Sequence, residues 1–458
     1  MDNKLLTYLA EHRDEHIEQL KNLIRIPSVS ALSKHKDDMH ACSQWMADSL
    51  TKAGLEKVEV MQTPGHPIIY GEWLHAEGKP TILVYGHYDV QPAEPLELWN
   101  SDPFEPETRG DKLYARGATD DKGQLFIHVK AVEAWLQTYG TLPVNIKFCI
   151  EGEEEITSPN LAPFIEQYQD KLSADIVLIS DGPIIAEGQP SIEYGLRGMA
   201  GCEIKVQASN TDLHSGLFGG GVPNAIHALS DILSSFHNAN GAVAIDGFYD
   251  GIAPFTEQER EASSKLPINE DQIRQGLGLS SLYGEEGYSY YERTTSRPTV
   301  EVTSVTGGFQ GEGIKPIIPS KASAKIACRL VPPQVPSDIL DKLEAHVIKV
   351  CPVGVTVTVD KLLRGNPYIT PIDHPAIQAA SEAYEYTYSK PALYTRGGGS
   401  IPIVEVFSRV LGAAVVLMGF GLPDENLHAP NEHFDLRNFD KGIVTTCKYW
   451  ENIASLKA

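Results

Sequence analysis

Three apolar runs in this chain of 458 residues end in acidic or imidazole side chains and a fourth precedes a histidine, and that recurrence restricts the fold more than any other feature. Residues 81–85 stop at Gly86, followed by His87, Tyr88 and Asp89. Residues 144–150 lead into Glu151-Gly-Glu-Glu-Glu155, and residues 174–179 into Ser180-Asp181-Gly182. Residues 413–418 precede Leu427-His428. Short apolar runs bounded by glycine and polar residues read as buried strands. Helical patterns separate them, at about 37–53, 123–138, 374–388, 401–410 and 438–455. Such alternation implies an α/β fold, a mostly parallel central sheet flanked by helices. Ligands of such sheets bind at the carboxyl ends of the strands, along one edge.

The length exceeds one ordinary core, so two domains are expected. The pattern changes near Tyr194-Gly-Leu-Arg-Gly198. Half-buried strand patterns follow at 201–208, 298–305, 320–331 and 355–359, with helices at 223–237 and 337–350. These make a small α+β domain, and from Pro371 the first pattern resumes. The division is therefore 1–195 with 366–458 for one domain and 196–365 for an insertion. Residues 246–297 are polar and carry no clear period. Residues 1–24 read as one amphipathic helix without a secretory cleavage site.

Composition excludes several partners. A formal charge of −23 disfavours nucleic acid and anionic membrane surfaces. No apolar run reaches the roughly 18 residues of a membrane helix. Six scattered cysteines without a CxxC pair suit buried thiols in a reducing cytoplasm.

His87 and Asp89 alone suit a metal ligand with the carboxylate that orients it, and equally an ordinary polar strand end. Their companions change the weighing. Asp120, Asp121, the triplet 153–155, Asp181 and His428 are all expected on the same edge. Two histidines with several carboxylates form the N/O donor set of zinc, cobalt or manganese, and no cysteine joins them. Two ions about 3.5–4 Å apart, sharing a carboxylate and a water, would use more of these ligands than one tetrahedral ion can.

The stretches YGHYDVQP, ARGATDDKG, EGEEE, ISDG, DLHSGLFGG and NLHAPNE, in this order, resemble the dinuclear zinc metallopeptidases. That family includes carnosinase, cytosolic non-specific dipeptidase, succinyl-diaminopimelate desuccinylase and glutamate carboxypeptidase. DLHSGLFGG and RGGGSIP are most similar to its dipeptidase branch. The resemblance implies that His87 and Asp181 hold one metal, Glu155 and His428 the other, and that Asp120 bridges both across a cis Asp120–Asp121 bond. Two zinc ions are implied, with manganese or cobalt as substitutes. Asp89 would orient His87, and Glu154 would act as general base on a bridging hydroxide; a shift of one residue within the triplet would move the roles of Glu154 and Glu155. His214 would stabilise the oxyanion from the opposite subunit of a homodimer formed through the inserted lid domain. Arg329, Gly399 and Ser400 would bind the substrate's carboxylate. A threonine that some dipeptidases carry in the lid corresponds to Pro316 here.

The implied activity is cytoplasmic dipeptide hydrolysis. A deacylase of N-acyl amino acids or a carboxypeptidase could use the same site. A metal-free binding protein, a two-metal phosphatase and a nuclease are weaker alternatives. Asp121 and Lys122 read as caps of the helix that follows them.

Overall fold

The computed structural model describes residues 2–399 and 401–456. Two compact units divide the chain. One comprises Met1–Tyr194, Thr370–Thr395 and Val406–Ala458; the other comprises Gly195–Ile369 and Arg396–Glu405. Arg396–Glu405 therefore groups with the inserted residues, a tertiary association that no local pattern signals.

The first unit is built on a mixed sheet. Its strands lie in the order Glu56–Met61, Ile68–Trp73, Asn145–Glu151, Thr81–His87, Ile176–Ile179 and Ala414–Leu417. The last four are parallel to one another, and the first two are antiparallel additions. The parallel strands are covered on both faces, so they read as unbroken apolar runs: Ile82, Leu83, Val84 and Tyr85 are all buried, as are Ile176–Ile179. The expected α/β class holds, with antiparallel pairing at the sheet margins.

The helix Lys122–Tyr139 lies against this sheet, with residues 122–132 all buried, and it ends at Gly140 in the left-handed conformation (φ 69°). Helix Lys36–Ala53 stops at Gly54 (φ 104°), as its sequence predicts. Helices Lys36–Ala53 and Leu436–Ala454 pack on Lys122–Tyr139, and Trp450 is fully buried among them.

Two expectations fail locally. The amino-terminal segment forms two helices, Asn3–Glu11 and Arg13–Ile24. At the break, the backbone N–H and the ring Nδ1 of His12 both lie within hydrogen-bonding distance of the Tyr8 carbonyl, at 3.1 and 2.9 Å. Asp121 occupies the N-cap position of Lys122–Tyr139 but makes no side-chain cap. Its Oδ2 instead accepts the His87 N–H at 3.1 Å. Lys122 Nζ donates to the carbonyls of Leu23 and Ile26 at the end of helix Arg13–Ile24, at 3.2 and 2.6 Å.

The second unit holds an antiparallel sheet in the order Thr299–Gly307, Lys321–Leu330, Gly198–Gln207 and Thr356–Gly365. Ala200, Cys202, Ile204 and Val206 point inward toward helices Ala225–Ser234 and Pro336–Val350. Residues 246–297 contain three short helices, Glu257–Ser264, Glu270–Gly276 and Tyr290–Thr295. The first and third start with a capping box, Thr256 with Glu259 and Ser289 with Glu292.

Candidate metal centre

The strand Thr81–His87 delivers His87 to the carboxyl edge of the sheet, fully buried. Its Nδ1 lies 3.0 Å from the backbone carbonyl of Asp89 and 3.4 Å from that residue's carboxylate. A proton on Nδ1 serves the carbonyl and leaves the Nε2 lone pair facing the site. Nε2 lies 3.2 Å from Asp120 Oδ1 and 3.7 Å from Asp181 Oδ2. It is buried and, among the described residues, meets no hydrogen-bond geometry with a partner.

Asp120 turns its other oxygen elsewhere. Oδ2 lies 2.8 Å from His428 Nε2, which is itself 3.3 Å from Glu155 Oε2. Two trios result, His87 with Asp120 and Asp181, and Asp120 with Glu155 and His428. Within each, one donor atom per residue lies within 4.8 Å of the others. Asp120 is common to both, and the peptide bond between Asp120 and Asp121 is cis.

The acidic triplet is sorted by its turn, Glu154–Ile156. Glu153 points away: its carboxylate accepts the His66 N–H at 3.1 Å and the Asn160 amide at 2.8 Å. The amides of Glu154 and Glu155 donate to the two oxygens of Asp89, at 3.2 and 3.1 Å. Asp89 thus holds the His87 ring through its carbonyl and the triplet through its carboxylate. Gln91 Nε2 donates to Glu155 Oε2 at 2.9 Å.

The charges of the cluster act strongly on one another. Burial pushes the Asp181 carboxyl up to about 8, with the neighbouring charge of Asp120 adding to it. Burial raises Glu154 too. Hydrogen bonds that His428 donates to Asp120 and Glu155 carry it up to about 10. Burial opposes charge on both His87 and Asp120, and their mutual contact together with Asp89 and His428 overcomes it. A buried carboxylate, Asp120, and the half-buried Glu154, Glu155 and Asp181 face two imidazoles, an arrangement that divalent cations between them would stabilise. The all-N/O donor set, the buried Nε2 without a partner and the shared carboxylate fit two such ions.

Two residues behind the ligands escaped sequence reasoning. Glu432 is fully buried and accepts four donors: Arg116 Nη1 at 2.7 Å and the amides of Gly117, Thr119 and Asp120 at 3.0, 3.1 and 3.2 Å. It lies four residues beyond His428, whose backbone is left-handed (φ 59°). One carboxylate therefore joins the loop of His428 to the loop of Asp120. The available signal was a charged residue inside each of two glycine- or proline-containing stretches, ARGATDD and HAPNE.

The remaining candidates lie in the second unit. His214 is exposed and begins the short helix Ser215–Phe218. Its Nδ1 accepts the Gly216 N–H at 3.0 Å, which places the ring proton on Nε2. The Ser215 amide donates to the Pro316 carbonyl at 3.1 Å. Arg329 is half-buried on the sheet face opposite the helices. Gly399 is exposed, with open space where a Cβ would stand. Ser400 lies outside the described residues.

Residues 83–452 match the family model for peptidase family M20/M25/M40, so the chain belongs to that family of peptidases. A Cys-Gly metallodipeptidase of Schizosaccharomyces pombe is 32% identical, over 99% of this chain and 98% of the relative. A human Beta-Ala-His dipeptidase is 28% identical, over 99% and 93%. The solved structure of an M20 family metallo-carboxypeptidase from Sulfolobus solfataricus superposes with a TM-score of 0.80 at 31% identity, covering all of both chains. Among the described residues no helix is long and apolar enough to cross a membrane.

Replacing Glu432 by Gln keeps its shape but sets an NH2 against N–H donors and leaves Arg116 buried without its counter-charge. The expected cost is about 3 kcal/mol, read as a lower urea midpoint. An unchanged midpoint would mean that the two loops are held by other contacts.

Proposed function

We propose that this enzyme hydrolyses dipeptides at a two-metal centre. The observation that carries this reading is the division of Asp120, one oxygen toward His87 and the other toward His428. His87 and Asp181 would hold one cation and Glu155 and His428 the second, with Asp120 between them. Zinc suits these donors best, and manganese or cobalt could replace it. When bound, two such ions acidify a shared water and polarise the scissile carbonyl.

The protein's own groups supply the rest. Glu154 takes the proton of the attacking water and returns it to the leaving amine. Asp89 keeps the His87 lone pair aimed at the site. The Nε2–H of His214 donates to the oxyanion, acting across a homodimer formed by the second unit. Arg329, with the glycines of 397–399, receives the substrate's carboxylate. The six free cysteines suit a reducing cytoplasm. The names of the yeast and human relatives support a dipeptide substrate, whereas the Sulfolobus neighbour supports carboxypeptidase action at the same site.

A panel of free dipeptides assayed beside N-acetyl and N-succinyl amino acids, with added zinc or manganese, distinguishes these readings. Turnover of the dipeptides is expected; turnover of the acylated substrates alone would replace the dipeptidase reading by the deacylase one.

The turn that directs Glu153 toward Asn160 supports Glu154 as base and Glu155 as ligand. Glu154→Ala is expected to retain both metals and to lose activity by about a hundredfold or more. Glu155→Ala is expected to lose metal as well. Metal content of the purified variants reads the difference, and the opposite pattern would exchange the two roles.

Co-expression of Glu154→Ala with His214→Ala tests action across the dimer. A mixed dimer has one intact site only if His214 serves the other subunit. Random pairing should then restore about a quarter of wild-type activity. No recovery in a verified mixed dimer would place His214 in its own subunit's site.

A further inference from the structure

The second unit contains a turn that one arginine bonds twice. The backbone N–H of Arg197 donates to the Gly397 carbonyl at 3.3 Å, and its Nε donates to the Gly398 carbonyl at 2.9 Å. Successive carbonyls of an extended strand point in opposite directions. Here both are drawn to one residue. In a trans peptide the N–H lies opposite the C=O. The amides of Gly398 and Gly399 therefore face together, away from Arg197. Consecutive amides on one side of a turn form a concave nest for an anion.

The surroundings restrict this turn. A Cβ on Gly398 would stand 2.6 Å from the Thr294 carbonyl. At Gly399 a Cβ would meet nothing within 4 Å, so that side is open. Arg197 Nη1 makes longer contacts to the carbonyls of Arg293 and Arg297, at 3.5 and 3.4 Å. The preceding Arg396 donates its N–H to the Tyr291 hydroxyl at 2.6 Å, and its side chain pairs with Glu259. Tyr291, Thr294 and Glu259 all belong to residues 246–297, which their sequence left unassigned. That segment is a buttress behind the turn.

Charge favours the same ligand. Among the described residues no carboxylate forms an ion pair with Arg197; carbonyls surround its guanidinium. Burial and the positive charge of Arg329 lower it to about 10, so it stays protonated at neutral pH. Two neighbouring guanidinium groups, only partly offset by the charge of Glu301, leave positive potential for an incoming anion.

We propose that Arg197 is a positioning residue that shapes residues 397–399 into a two-amide receptor for the α-carboxylate of a dipeptide, with helices Glu257–Ser264 and Tyr290–Thr295 holding the segment from behind. This rests on the reading that the 397–399 turn and Arg329 bind the substrate's carboxylate. Arg197 itself touches the turn and not the substrate.

The test compares Ala-Ala with Ala-Ala amide on the metal-loaded enzyme. Wild type is expected to show a KM for the free acid at least about tenfold below that for the amide. Arg197→Met should raise the KM for Ala-Ala about tenfold, leave its kcat within about twofold and leave the amide unchanged. Arg197→Lys, with a charge but no Nε–H, should fall between. Glu259→Gln, far from the substrate in its role, should shift KM in the same direction by less, and it serves if Arg197→Met fails to fold. A wild type without preference for the free acid would remove the carboxylate reading, and this proposal with it. A wild type with that preference, but variants that lose equally on both substrates or lose kcat alone, would overturn only the role of Arg197.

Discussion

A carboxylate can serve two cations only if its backbone is fixed while both oxygens remain free. In this protein the fixing is done by another carboxylate. Glu432 accepts the Asp120 amide and two amides just before it, so the Asp120 side chain takes no part in holding its own loop. Arg116 balances the buried charge of Glu432 at 2.7 Å. Asp89 plays the same part on the other side, accepting the amides of Glu154 and Glu155. Each supporting acid is held by backbone N–H groups, whereas the candidate ligand acids turn their oxygens toward the two imidazoles, Glu155 taking one side-chain donor from Gln91. That division of labour keeps the ligands oriented before any cation arrives, since side chains locked from behind lose little freedom on binding.

The same arrangement concentrates unfavourable charge. Asp181 and Glu154 are raised by burial, and His87 and His428 are driven toward the protonated state by the acids beside them. Divalent ions, on the proposed reading, would relieve both effects at once, replacing protons on the imidazoles and removing the repulsion among the acids. Metal affinity in such a centre comes from the mutual repulsion of ligands as well as from their individual strength.

Much of this was legible in the chain because it is local. A strand that is covered on both faces is apolar until it emerges, so Thr81–His87, Asn145–Glu151 and Ile176–Ile179 advertise the positions of His87, the triplet and Asp181. Gly54 marks a helix end for a reason contained in one residue. What was not legible is tertiary. Asp121 stands where a cap would stand, but the His87 amide is the donor it finds. Glu432 and Arg116 are more than three hundred residues apart in the chain, and no pattern announces their pairing. Residues 246–297 lack a period because their helices are short, and two of them contact residues 396–398, so the local signals are the side-chain caps at Thr256, Asn269 and Ser289.

The two units divide the chemistry by charge. The first gathers acids and imidazoles at one edge of its sheet, where on the proposed reading they would hold the cations, move a proton and activate water. The second offers donors: the Nε2–H of His214, set by the Gly216 amide on the other ring nitrogen, the guanidinium of Arg329 and the amides behind which Arg197 stands. A peptide undergoing hydrolysis has a carbonyl that becomes anionic and a carboxylate that is anionic throughout. Donors fixed by backbone contacts need no reorganisation when that charge develops, which is the condition under which hydrogen bonds contribute most to a transition state. On the proposed reading, recognition by the second unit would be separable from metal chemistry, because every candidate ligand named here belongs to the first.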